Sequence, residues 1–304
     1  MTSIRIGTRG SALALAQAAW AKRSLEERYP DLRVEIVTIK TSGDRFLSTP
    51  VKAIGKGIFV KEIEDALLEN KIDLAVHSMK DLPTGMTPGL AIAAVPARED
   101  ARDVLVARSG KGLKDLPAGS RIGTGSLRRR AQILHCRPDL SVEAIRGNVD
   151  TRLKKMDAGE VDGLVMAAAG LNRLGLAGRV SEYLAPEICL PAPAQGALAL
   201  ESRAGDHAVN LAAFLRHAPT LLEVTAERAF LGRLGGGCQL PVGARAWAEG
   251  DGLRLAGLVA DPDGRKLFRE EITGPAESAE SLGRTLAERL LSLGADKVLQ
   301  DTRQ

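Results

Sequence analysis

Short apolar runs alternate with helical patterns through the first two-thirds of the chain, and this alternation constrains its fold more than any other feature. Ile4 to Ile6 is followed by a helical stretch from about Ser11 to Tyr29 and then by Val34 to Ile39. The rhythm continues with a helix from Ile58 to Glu69, strands Leu74 to His77, Leu90 to Val95 and Val104 to Ala107, and Arg121 to Gly123 running into a helix that begins at Ser126. Strand–helix–strand repetition covers both faces of a sheet with helices, so the pattern predicts α/β domains with mainly parallel sheets. The 304 residues exceed one ordinary core, and two or three domains are expected.

Proline blocks continuation of either helix or ladder, so Pro96 to Arg102 and the segment from Pro186 to Gly196 read as crossings between domains. Two crossings suggest a two-lobed clamp like that of periplasmic binding proteins. Its first lobe spans 1–96 with a returning segment at 197–216, and its second spans 97–196. After Pro219 a separate unit, 217–304, is expected to be a small C-terminal α+β domain. It reads as a helix from about Leu221 to Leu234, a GGGCQLP turn, two strands joined at Asp261 to Gly264, and an amphipathic helix from about Ala279 to Leu293. The turn-rich stretch from Lys40 to Gly57 lacks periodicity and reads as a long loop of the kind that serves as a lid, or as a tolerated insertion.

Composition excludes several classes. With 44% hydrophobic and 26% charged residues the chain is neither disordered nor a disulfide scaffold. Two Trp and two Tyr, with no zinc-finger spacing, supply few stacking platforms for bases, so the mild charge of +4 points to an anionic small molecule rather than nucleic acid. Cys136, Cys189 and Cys238 are odd in number and form no CxxC, which fits a reducing, cytoplasmic setting without a thiolate metal site. No stretch approaches the roughly 18 uncharged apolar residues of a membrane span.

The sharpest physical clue is SLRRR at Ser126 to Arg130. Ser126 reads as an N-cap, and three cations then crowd a helix start whose dipole disfavours them, so a bound anion is the expected compensation, aided by N–H groups of the GTGS turn. Arg9 ahead of the cap Ser11, and Arg146 in RGN ahead of a helix carrying Arg152, repeat the arrangement. In open parallel sheets such turns share the carboxyl edge, where forked guanidiniums can converge on a polycarboxylate. HSMKDLP, His77 to Pro83, ends a strand with a base, a hydroxyl, a cation and a carboxylate, and Asp81 is the candidate acid or base. An Asp-Leu-Pro turn paired to Lys80 is the plainer alternative. No GxSxG elbow accompanies Ser78, which argues against a serine hydrolase. Cys238 in GGGCQLP lies where glycines let a ligand approach the backbone, and is otherwise a small buried thiol.

RGSALA, HSMKDLP, GTGSLRRR, RGNVDTRL, AAAGLNRLG, PAPAQGALALE and GGGCQLPVG occur in an order that closely resembles the porphobilinogen deaminase family, from Arg9 to Gly243. The resemblance implies a transferase of tetrapyrrole (porphyrin, haem) biosynthesis that joins four porphobilinogen molecules, releasing ammonia at each step, into linear hydroxymethylbilane. It implies a dipyrromethane cofactor held by thioether to Cys238, with Asp81 catalytic. Around the cofactor it places Ser78, Lys80, Thr124, Ser126, Arg128, Arg129 and Arg146; for substrate binding it places Arg9, Ser11, Lys56, Arg146, Arg152, Arg173 and Gln195. It implies no metal, no nucleic-acid or membrane partner, and a cytoplasmic monomer. The family often carries an acidic residue where this chain has Gly235, and its loop corresponding to Lys40 to Gly57 is one residue longer.

Two other readings of the residues remain. A non-catalytic anion-binding protein would use the same arginines at helix starts. An RNA-binding protein would show strongly salt-dependent affinity.

Overall fold

A computed structural model describes residues 2–42, 60–236 and 240–303. They form two compact units, residues 1–99 with 197–221 and residues 100–196 with 222–304.

The first unit is built on a five-stranded sheet in the order β2-β1-β3-β10-β4. Its strands are β1 (Thr2–Thr8), β2 (Leu32–Thr38), β3 (Leu74–Ser78), β4 (Leu90–Ala94) and β10 (Leu198–Arg203). β1 pairs in parallel with β2 and β3, whereas β10 lies antiparallel between β3 and β4. Helix α1 (Ala12–Arg28) covers one face with Ala18, Ala21 and Leu25, meeting Ile4, Ile6, Leu74 and Val76. Helix α2 (Lys61–Leu68) covers the other, where Ile63 and Leu67 meet Ile72 and Ala75. The two-residue period of β3 sends Leu74 and Val76 one way and Ala75 the other, so a strand covered on both faces carries no polar alternation.

The second unit holds a five-stranded sheet in the order β7-β6-β8-β5-β9 and a three-stranded sheet β11-β12-β13. In the larger sheet are β5 (Asp103–Ala107), β6 (Arg121–Gly123), β7 (Ser141–Glu143), β8 (Gly163–Ala167) and β9 (Glu182–Tyr183). β6 is parallel to β7 and β8, and β5 is antiparallel to β8 and β9. Helices α3 (Leu127–Cys136), α4 (Val149–Asp157) and α5 (Ala168–Arg173) follow β6, β7 and β8. The expectation of mainly parallel sheets therefore needs correction. In both five-stranded sheets half of the strand pairings are antiparallel, because β10 and β5 each run against both of their neighbours.

The C-terminal segment of this unit has its own apolar core between the small sheet and helices α7 (Ala218–Arg233), α8 (Ala279–Leu290) and α9 (Asp296–Arg303); a short helix α6 (His207–Ala212) precedes α7 in the chain. β11 (Val242–Glu249), β12 (Gly252–Ala260) and β13 (Leu267–Pro275) make an antiparallel meander. Three strands stand where two were expected, and helix continues beyond Leu293 past the left-handed Gly294. Gly283 lets α8 cross α7 closely: a Cβ there would lie 2.2 Å from the Ala226 carbonyl oxygen. Among the described residues no helix is long and apolar enough to cross a membrane.

Candidate active site

In the first unit, β1 and β3 run parallel, so Arg9, Ser11 and the segment Ser78 to Asp81 follow strands that end at the same sheet edge. Ser11 caps α1, its Oγ accepting from the Ala14 N–H at 3.3 Å, and Arg9 is half-buried just before it. Gln17 of α1 reaches across and donates to Ser78 Oγ at 2.9 Å, which fixes the end of β3. Beyond Ser78 the chain turns through Met79–Asp81, and Met79 N–H donates to the Ala197 carbonyl at 3.0 Å. Met79 is buried while Asp81 is exposed and makes no hydrogen bond or ion pair among the described residues. An exposed carboxylate on a turn anchored this way has both oxygens available to an N–H or a developing cation.

His77 turns inward instead. Its Nε2 lies 3.2 Å from Glu201 Oε2 at ion-pair distance but outside hydrogen-bond geometry, and both side chains are buried. His77 is thus a core residue and not an exposed base.

In the second unit, the parallel run of β6, β7 and β8 places the GTGS turn, the RGN turn and the start of α5 on one sheet edge. β5 runs the other way, with Asp103 opposite Ala167, so the first residue of β5 lies at that edge too. Ser126 caps α3, accepting from Arg129 N–H at 3.5 Å, and buried Thr124 accepts from Ser126 N–H at 3.3 Å.

Asp103 is fully buried among cations. Arg128 Nη1 donates to its Oδ2 at 2.5 Å and to the Leu190 carbonyl at 2.6 Å; Arg129 Nε donates to Oδ1 at 2.9 Å; Gln195 Nε2 donates to Oδ1 at 2.8 Å. Burial alone would raise this carboxyl, but the charges of Arg128 and Arg129 overcome it and hold it well below the usual carboxylate range. Carboxylates of the protein thus share in the compensation of SLRRR for which the sequence suggests a bound anion. Asp103 compensates the first two in part, and Arg130 bonds the Asp263 carboxylate at 3.1 Å.

Arg152 has no such carboxylate among the described residues. Its Nε donates to the Gly147 carbonyl at 2.8 Å, and Nη2 stands 3.9 Å from where a Cβ on Gly125 would lie, against the GTGS turn. Burial, with the neighbouring charge of Arg129 adding, pushes its pKa down to about 10. Arg128 and Arg129 thus share one carboxylate while Arg152 adds a third guanidinium beside Arg129, and the excess positive charge is what an incoming carboxylate would neutralise.

Arg146 is exposed ahead of α4, and Arg173 Nη2 donates to the Gly196 carbonyl at 2.6 Å. Gln195 is positioned by Ala194, which adopts a left-handed φ of 62° and donates its N–H to the buried Glu227 carboxylate at 2.6 Å. The structure therefore gathers Arg128, Arg129, Arg152, Thr124, Ser126 and Gln195 in one unit, and Arg9, Ser11, Ser78, Lys80 and Asp81 in the other. Lys56 and Cys238 lie outside the described residues. Cys189 is buried against Asp103, its thiol pushed far up by burial. Asp103 was missed in the sequence, where a lone Asp ahead of VLVA reads as a strand boundary; a carboxylate opening a wholly apolar central strand was the available signal.

Two guanidiniums on one buried carboxylate with a third beside them, at one edge of a mixed sheet, define an α/β protein whose site carries excess positive charge. Residues 4–211 match the family described as "Porphobilinogen deaminase, dipyromethane cofactor binding domain", and residues 221–292 match "Porphobilinogen deaminase, C-terminal domain". The chain belongs to the porphobilinogen deaminase family. It is 52% identical over 300 residues to porphobilinogen deaminase of Syntrophotalea carbinolica, covering 98% of this chain and 95% of that one. It is likewise 52% identical over 305 residues to that of Thermus thermophilus, covering 100% of both. Among solved structures, a methionine-binding protein is similar with a TM-score of 0.44 and 13% identity, over 81% of this chain and 99% of that one.

Proposed function

We propose that the chain is a transferase that joins four porphobilinogen molecules, one at a time, into linear hydroxymethylbilane. The observation that carries the reading is the shortage of carboxylate at the Arg128, Arg129 and Arg152 cluster, because each pyrrole brings an acetate and a propionate. The dipyrromethane cofactor of this family fits the same cluster, since it too is a chain of pyrrole carboxylates; when bound it supplies the primer to which substrate is added.

Cys238 is the thioether anchor, and Ser78, Lys80, Thr124, Ser126, Arg128, Arg129 and Arg146 hold the primer. Arg9, Ser11, Lys56, Arg146, Arg152, Arg173 and Gln195 take substrate carboxylates directly or position the groups that do. In each round the C–N bond of the substrate's aminomethyl group breaks, ammonia leaves, and a cation remains on the pyrrole. Asp81 accepts a hydrogen bond from the pyrrole N–H and stabilises that cation, then takes the proton lost when the new C–C bond forms. The arginines orient the carboxylates so that the reacting carbons meet in one geometry. The protein works as a cytoplasmic monomer of three domains, 1–96 with 197–216, 97–196 and 217–304.

Intact mass of protein from cells that make porphobilinogen, followed by peptide mapping, tests this reading. A mass excess of two linked pyrrole units on Cys238, with hydroxymethylbilane formed from added porphobilinogen, is expected. No adduct after incubation with porphobilinogen would return the chain to a non-catalytic anion binder.

A further inference from the structure

Arg130, the third arginine of the SLRRR helix, has no part in the chemistry above. It is partly exposed beside two buried neighbours, and its three nitrogens go to two segments, β7 and the turn joining β12 and β13. Nη1 donates to the Val142 carbonyl of β7 at 2.6 Å, Nε to the Pro262 carbonyl at 3.2 Å, and Nη2 to Asp263 Oδ1 at 3.1 Å. Pro262 and Asp263 belong to the turn joining β12 and β13.

The same turn touches α3 again one helical turn further on. His135 Nδ1 lies 2.9 Å from the Gly264 carbonyl, which can only accept, so Nδ1 carries the proton. Gly264 has a left-handed φ of 71°, and a Cβ on it would lie 2.3 Å from the Ala131 carbonyl oxygen and 2.7 Å from the His135 nitrogen. The turn is itself stiff, because the Asp261 carboxylate accepts from the N–H groups of Asp263, Arg265 and Lys266. Beneath it, Ala131 shares one apolar cluster with Leu190, Ala256, Leu258 and Ala260.

We infer that Arg130 is a positioning residue: by gripping the 261–264 turn it fixes the rotation and axial slide of α3, and so the places of Arg128 and Arg129. The inference rests on the reading that those arginines serve pyrrole carboxylates. Magnitude separates this role from simple adhesion. An ion pair as exposed as Arg130 with Asp263 contributes little to stability, whereas misplacing a binding group by about 1 Å is costly to catalysis. Donors to two segments, β7 and the 261–264 turn, set an angle that the apolar contact at Ala131 leaves less defined.

The test compares holo-protein of wild type, Arg130→Leu, Arg130→Lys and Gly264→Ala. Arg130→Leu is expected to raise KM for porphobilinogen by about three- to tenfold, with kcat within about twofold and Tm within about 2 °C. Lysine should recover part of the loss, and Gly264→Ala, if it folds, should raise KM further. Faster amide exchange in residues 127–136 of Arg130→Leu is expected as well. Lowered Tm with unchanged KM, or no change in either, overturns the inference, and so does unchanged exchange in α3. A wild type without turnover overturns the functional reading instead, and the exchange result then decides the positioning of α3 by itself.

Discussion

Arg129 donates its Nε to Oδ1 of Asp103 at 2.9 Å inside the protein, so a guanidinium expected to face ligand is first of all half of a buried ion pair. The pairing orders the cluster: with its carboxylate shared between Arg128 and Arg129, the residual charge falls on Arg152 and the GTGS turn.

Removing Asp103 is expected to be severe. Asp103→Leu leaves two buried guanidiniums uncompensated and should cost about 3–5 kcal/mol. Because the native carboxyl is held far below its unfolded value, its contribution is fully present above the unfolded carboxylate pKa of about 4 and is lost as pH falls through the depressed native value. Urea unfolding of wild type and variant from pH 7 to pH 3 should show a constant gap that begins to close only near the acid end.

Arg152 should behave in the opposite way. Its native pKa is depressed to about 10, so holding it charged costs stability at every pH below that and less as pH rises from there toward the unfolded value. Apo Arg152→Leu is expected to gain on the order of 1 kcal/mol at pH 7 after screening at the partly exposed surface, while substrate affinity falls. Thermal melts of apo-protein, read beside KM for porphobilinogen, check both signs; a less stable apo variant would count against an uncompensated cation.

Asp81→Asn should keep fold and cofactor mass, because the side chain has no partner among the described residues to lose. Turnover should drop by about a hundredfold or more with the loss of its charge. Single-turnover ammonia release measures this, and near-normal release would remove Asp81 from its assigned role.

The three cysteines should separate by reactivity. Cys136 is exposed with a thiol raised by desolvation, so iodoacetamide should label it slowly near neutral pH and faster as pH rises. Cys189, buried with its thiol pushed far up, should resist until the protein unfolds. As the proposed thioether anchor, Cys238 should be unreactive in holo-protein. Peptide mapping after timed alkylation reads all three, and early labelling of Cys189 would contradict its burial.

What the sequence made legible was local. The caps Ser11 and Ser126, the strands ending in His77-Ser78 and Gly123, and the turn at Asp261 to Gly264 follow from periodicity and side-chain chemistry within a few residues. What escaped was set by partners far along the chain. The antiparallel pairing of β5 with β8 joins segments some sixty residues apart, and no period within either strand announces its direction. β11 was missed because Gly243, Ala244 and Ala246 carry little strand signal, and the meander alone holds them extended. The destination of Arg130 was equally hidden, its carboxylate partner lying 133 residues further on.

The place of β10 bears on how the protein is made. Residues 198–203 slot between β3 and β4, which leave the ribosome about a hundred residues earlier. Until then both strands have a row of unpaired backbone groups where β10 belongs, a template for mispairing with other nascent chains. The first unit in sequence is thus the one that cannot close on its own schedule: its sheet waits for a strand synthesised after residues 100–196, and a translational pause in that interval would prolong its most aggregation-prone state.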